Sequence, residues 1–221
     1  TYYKGYVIVG ILILCGVSRT VWAKVTAKKP DLSAVVITDP VLSREETDFL
    51  KCQLSRILWD FNGDGEVLLE VHAYGKNPAQ AVLGAETSLY ASASEVELIG
   101  DIQSCESYLF LTDNPKSLQR NYQLLANPDG TCPAQNDYSA EGKTLFLRDC
   151  PGIESGDTGS KEGQVSDDFS SLSGRSDFQD FPGLLDLSVG RRCFYDEKTC
   201  RNPEACEAYW RKLTGIAQAS L

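Results

Sequence analysis

The residues predict an α/β fold: a three-layer α-β-α domain around a mainly parallel sheet. Three observations carry this. Short, wholly apolar stretches recur at residues 32–38, 67–71 and 108–112. Segments of helical period separate them. Capping and chain-breaking residues punctuate each junction. Strands buried on both faces read as continuous apolar runs, and a helix between two such runs implies a parallel crossover.

Asp31-Leu32-Ser33-Ala34-Val35-Val36-Ile37-Thr38 is the first strand, stopped by Asp39-Pro40. Ser43-Arg44-Glu45-Glu46 is a capping box. The Ser43 hydroxyl accepts from the Glu46 amide, and the Glu46 carboxylate reaches back to the Ser43 amide. The following helix sets Phe49, Leu50, Leu54, Ile57 and Leu58 on one face, as a helix laid on a sheet requires. Asp60-Phe61-Asn62-Gly63-Asp64-Gly65 turns the chain into a strand over 66–74, and Gly75-Lys76-Asn77-Pro78 breaks it. A helix over 85–103 is expected to place Leu89, Ala93, Val96 and Ile99 or Gly100 inward. Residues 108–112 form a third strand, ended by Asp113-Asn114-Pro115, and a short helix over 116–125 follows. After a polar loop over 127–142, Thr144-Leu145-Phe146-Leu147 is a fourth strand. Residues 152–180 are rich in Gly, Ser and Asp, and strand character returns over 184–194. Asn202-Pro203 is an N-cap followed by proline at the first helical position. The last helix, 203–217, is expected to turn Cys206, Tyr209, Trp210, Leu213 and Ile216 inward.

The chain has 221 residues and a net charge of −10. Residues 1–30 hold five bases and no acid, so residues 31–221 carry 31 acids against 16 bases. A body that acidic repels phosphate backbones, and nucleic acid is excluded as a general partner. Tyr6 to Val17 is an almost unbroken apolar run between Lys4 and Arg19. It reads either as a signal peptide cleaved after Ala23 or as an uncleaved signal anchor. Either reading exports residues 31–221. The expected organisation is an anchor and basic tether over 1–30 and an extracytoplasmic domain over 31–221.

A Tyr-Tyr-Lys start, the apolar run, "DLSAVVITD", "DFNGDGEVLLEV", "YLFLTDNP" and "CFYDEKTCRNPEACEAYWRKLT" stand in that order. This arrangement resembles a class of uncharacterised, membrane-anchored envelope proteins of Gram-positive anaerobic bacteria. The resemblance covers residues 3–125 and the last thirty. It implies a retained N-terminal anchor in the cell membrane, with the domain outside the cytoplasm, and brings no assigned activity. The strand and helix order is also similar to one lobe of an extracellular solute-binding protein, on topology alone.

Asp60-x-Asn62-x-Asp64-Gly65 has the early spacing of a calcium loop, with the Glu66 carbonyl at the seventh position. The late ligand positions hold Leu68 and Val71, and the competing reading is a helix-to-strand turn stabilised by Asn and Asp. Calcium is the one cofactor these residues suggest. Asp39, Asp113 and Asp149 each follow a predicted strand. The carboxyl ends of parallel strands form a ligand crevice, so these three are candidate binding residues. They would also serve a carboxylate-based hydrolase if they converged. Cys132, Cys150, Cys193 and Cys200 lie in or near loops and are disulfide candidates, with Cys132–Cys150 and Cys193–Cys200 the pairs suggested by proximity. Cys52 and Cys105 read as core residues. His72, the single histidine, falls in a predicted strand and reads as a half-exposed strand residue. Phe169, Phe178 and Phe181 punctuate the acidic stretch as candidate docking residues. With no nucleophile elbow and no phosphate loop, the expected function is a non-catalytic envelope module. Its partner is an envelope protein or a small ligand; a cell-surface hydrolase is the alternative.

Overall fold

The computed structural model describes residues 29–75, 85–105, 107–154, 178–194 and 202–216. Strands β1 (Leu32–Thr38), β2 (Leu69–Gly75), β3 (Leu109–Thr112), β4 (Thr144–Phe146) and β5 (Ser188–Arg191) form one open sheet in the order β2-β1-β3-β5-β4. The helices are α1 (Arg44–Ser55), α2 (Ala85–Ser104), α3 (Pro115–Tyr122), α4 (Pro151–Glu154), α5 (Pro182–Leu185) and α6 (Pro203–Thr214). The fold class is α/β, as the alternation of apolar strands and helices requires.

β1 pairs in parallel with β2 and β3. β5 runs antiparallel to both β3 and β4, so the sheet is mixed. This corrects the expectation of a mainly parallel sheet in its C-terminal half. An antiparallel neighbour does not require the crossover that a parallel pair does, so the alternation of strands and helices does not fix the direction of β5.

Every residue of β1 is buried, and its alternate side chains enter two separate cores. Ala34 and Val36 join Leu109, Leu111 and Val189 under Phe49, Leu50 and Leu54 of α1 and Tyr209, Trp210 and Leu213 of α6. Val35 and Ile37 join Phe110 on the other face, with Leu98 of α2 and Leu118 of α3. The fully buried Tyr209 donates its hydroxyl to the Leu54 carbonyl at 2.9 Å, tying α6 to α1. The end of α6 lies so close to α4 that a Cβ on Gly152 would stand 2.6 Å from the Lys212 carbonyl oxygen.

The Ser43–Glu46 capping box forms in both directions, at 3.2 and 2.8 Å. α3 ends earlier than expected because Gln123 takes a left-handed conformation, φ +51°, which sends Leu124 and Leu125 into the core. Apolar residues at 96 and 99 compete with those at 98 and 102 for the inward face of α2. Leu98 is 5% exposed, whereas Val96 is 68% exposed, so the expected face is wrong by a partial turn. Leu89 and Ala93 have side chains outside the described residues. Phe178 and Phe181 are not docking residues: their rings pack on Phe49 at centroid distances of 5.0 and 5.1 Å.

Cys132 is bonded to Cys193, with their Cα atoms 5.2 Å apart. This corrects both expected pairings, Cys132–Cys150 and Cys193–Cys200, since the one bond takes a cysteine from each. Cys150 is a thiol with no surface exposure, pushed up to about 12 by burial and then by the nearby Asp149 charge. Cys52 and Cys105 are half-buried and not core residues. Cys200, the apolar run of residues 6–17, the tether up to residue 28 and Phe169 lie outside the described residues. Among the described residues, no helix is long and apolar enough to cross a membrane.

The disulfide spans 61 residues and closes a large loop of the unfolded chain. Replacing Cys193 by Ser is expected to lower stability by about 2–4 kcal/mol, read as a fall in the urea midpoint under non-reducing conditions. Equal midpoints for the two proteins, with the wild-type bond intact, would show that the bond contributes nothing.

Candidate functional site

β1 leaves the sheet into α1, which packs on one face. β3 leaves it into α3, which packs on the other. The two connections diverge, and in open α/β sheets such a divergence at the carboxyl ends of neighbouring strands is where ligand crevices form. Both strands end in Thr-Asp: Thr38-Asp39 and Thr112-Asp113.

The register pairs Ile37 with Thr112, so Asp39 and Asp113 emerge side by side. The Asp39 amide donates to Asp113 Oδ2 at 3.0 Å. Both aspartates are exposed. Thr112 is fully buried, and its hydroxyl oxygen accepts the Asn114 amide at 3.1 Å. Asn114 in turn caps α3 by accepting the Ser117 amide at 3.0 Å. Thr38 is 5% exposed, and its hydroxyl has no hydrogen-bond partner among the described residues. The two strand ends thus carry two exposed carboxylates, each following a buried threonine. Carboxylates accept hydrogen bonds from hydroxyl or amine donors.

Asp149 does not join this pair directly. It lies exposed in a 3-10 turn, Leu147–Asp149, after β4. β5 separates β4 from β3, which places the two strands roughly 10 Å apart across the sheet. The structure therefore brings two of the three candidate aspartates together, and the third stands at a distance from them. The residues missed from sequence are Thr38, Thr112 and Asn114. The repeated Thr-Asp at two strand ends was their signal.

The 60–66 loop is a turn that satisfies its own polar groups. Asp60 accepts the Gly63 and Gly65 amides at 2.6 and 2.8 Å. These bonds, that from Gly65 foremost, hold the Asp60 carboxyl below its ordinary 3.8 against a modest opposing effect of burial. Asn62 Oδ1 accepts the Asp64 amide, and Asp64 Oδ1 accepts the Glu66 amide, at 2.8 and 2.9 Å. Gly63 and Gly65 take positive φ, +75° and +86°, as a left-handed turn demands. Residues 66–68 belong to this turn, and β2 begins only at Leu69, three residues later than expected. A carboxylate outside the loop also holds it. Asp31, 9% exposed, accepts the Phe61, Asn62 and Leu68 amides at 2.7, 3.1 and 2.8 Å. Nothing local in the sequence marks Asp31 for this role. Among the described residues no group of three His, Cys, Asp or Glu side chains is arranged to hold a metal.

His72 lies on the edge strand β2, half-exposed, with Nε2 3.4 Å from Glu70 Oε1. No family model matches the chain, and no curated protein or solved structure matches it.

Asp31→Ala strands three backbone amides, and a loss of about 2–3 kcal/mol is expected in urea unfolding. Asp31→Asn keeps one acceptor oxygen and should lose about half of that. The loop holds itself without an ion, so chelation with EDTA is expected to leave the melting temperature unchanged. A fall on chelation, restored by calcium, would instead seat an ion among Asp60, Asn62, Asp64 and the Glu66 carbonyl.

Proposed function

We propose that this chain is a non-catalytic cell-envelope module, and that it binds a partner protein or small ligand in the β1–β3 crevice. One observation carries the reading: the diverging connections place Asp39 beside Asp113 over buried threonines. Two facts support it from outside the site. The Cys132–Cys193 bond suits an oxidising compartment beyond the cytoplasm. The apolar run over residues 6–17, with flanking bases, suits a membrane leader or anchor. A binder needs a fixed set of oriented donors and acceptors, and the crevice supplies one. A carboxylate hydrolase needs a second carboxyl group placed across the reacting bond. Asp39 and Asp113 are two carboxyl groups but emerge side by side from neighbouring strands, one Asp113 oxygen engaged by the Asp39 amide, and Asp149 begins two strands away.

The test uses the full chain with a photo-crosslinking residue in place of Val41, which is 50% exposed in the loop after β1. It is applied to solubilised envelope. Wild type is expected to capture a discrete envelope component, and the Asp39→Asn/Asp113→Asn double variant to capture about tenfold less. Asparagine at 113 keeps the oxygen that accepts the Asp39 amide, so the strand ends stay in place. Equal capture by both proteins would overturn the crevice as the binding site. Resistance of the domain to protease added to intact cells, with cleavage after lysis, would overturn the location.

A further inference from the structure

We propose that Cys105 is a site of oxidation by hydroperoxides, and that the buried guanidinium of Arg192 receives the oxygen of its sulfenate. Arg192 is 7% exposed. Its Nη2 donates to the Ile102 carbonyl and, at 3.3 Å, to Cys105 Sγ. Its Nε and Nη1 are buried and have no hydrogen-bond partner among the described residues. Buried donors left unpaired are rare in folded proteins, because each loses its water without gaining an acceptor. Here the unpaired donors belong to the same planar group that touches a sulfur. An oxygen attached to that sulfur is an acceptor placed beside them, and a negatively charged one is the strongest acceptor available.

The sulfur is reachable. Cys105 is half-buried at the end of α2, where a small peroxide meets it. The residue holds φ +59°, a left-handed position usually given to glycine at a helix end. Its thiol faces the Ile102 and Gln103 carbonyls at 3.8 and 3.7 Å, which accept the S–H proton. Those carbonyls carry only the partial negative charge of a helix terminus, whereas Arg192 brings a whole positive charge to contact distance. In the reaction the sulfur attacks one peroxide oxygen and the O–O bond breaks. An S–O bond forms, and the second oxygen leaves with the thiol proton, as water from hydrogen peroxide or as an alcohol from an organic hydroperoxide; the sulfenic acid passes its proton to solvent to give the sulfenate. Sulfur loses two electrons and the peroxide gains them.

The other described thiols differ. Cys150 and Cys206 are buried, at 0% and 4% exposure, and closed to reagents. Cys52 is half-buried on α1 and provides an internal comparison of similar exposure.

The experiment treats the folded full chain with a small excess of hydrogen peroxide, traps sulfenic acid with dimedone and quantifies each cysteine peptide by mass spectrometry. Cys105 is expected to gain adduct about tenfold faster than Cys52, and Arg192→Gln to abolish the difference. Arg192→Lys, which keeps the charge and loses the planar donor set, should fall between. Should Arg192→Gln fail to fold, the wild-type ratio decides, because in urea the two rates should become equal. Equal rates in the native protein, or a native ratio unchanged by urea, would overturn the proposal.

Discussion

Three consecutive residues, Arg191, Arg192 and Cys193, set the constraint on which the C-terminal half of this molecule depends. β5 is extended, so successive side chains point to opposite faces. Arg191 faces the α1–α6 core, where its guanidinium meets Glu207, the Asn127 and Pro128 carbonyls and the Trp210 ring. Arg192 faces the α2 side. Cys193 then closes a covalent link to Cys132. Two guanidiniums are thereby buried on opposite faces of one strand. A buried charge is tolerated only with partners, and removing one partner typically costs about 3–5 kcal/mol. The partners come from four separate places in the chain: α2, the 127–130 loop, α6 and the ring of Phe194. β5 cannot slip in register without stranding one of them.

Glu207 links this arrangement to the centre of the sheet. Its second oxygen accepts the Tyr108 hydroxyl at 2.8 Å, just before β3. Burial and then the Glu207 carboxylate push the Tyr108 hydroxyl well above its ordinary 10.0, so it remains a donor. β3 is thus held on its β5 side through polar contacts at one end. Its other end supplies Asp113 to the crevice. The crevice geometry rests on the same register that the two arginines enforce.

The acidity of the chain has a structural use. Asp31, Asp60, Asp64, Asp113, Asp129 and Asp137 all accept backbone amides in turns or at strand ends. Asp137 also holds the buried Lys143 ammonium at 2.8 Å, and that bond is the first cause of its lowered pKa. Much of the negative charge therefore serves to order loops between sheet and helices. Asp60, Asp64, Asp129 and Asp137 do so within their own turns, at amides two to five residues away, whereas Asp31 and Asp113 reach across the fold.

What the amino-acid order determined by itself was local. The apolar run of β1, the Ser43 capping box and the Asn202-Pro203 start of α6 depend on contacts within a few residues, and each formed as read. The Thr-Asp strand ends were legible for their aspartates and not for their threonines. The direction of β5, the inward face of α2 and the partner of Cys132 were decided by the tertiary structure. The interactions that fix them join residues far apart, 61 positions for the disulfide and 87 for Arg192 with Cys105. Periodicity and capping act over one helical turn or one strand pleat. They define which elements exist, and only the packing of those elements decides which side chains meet.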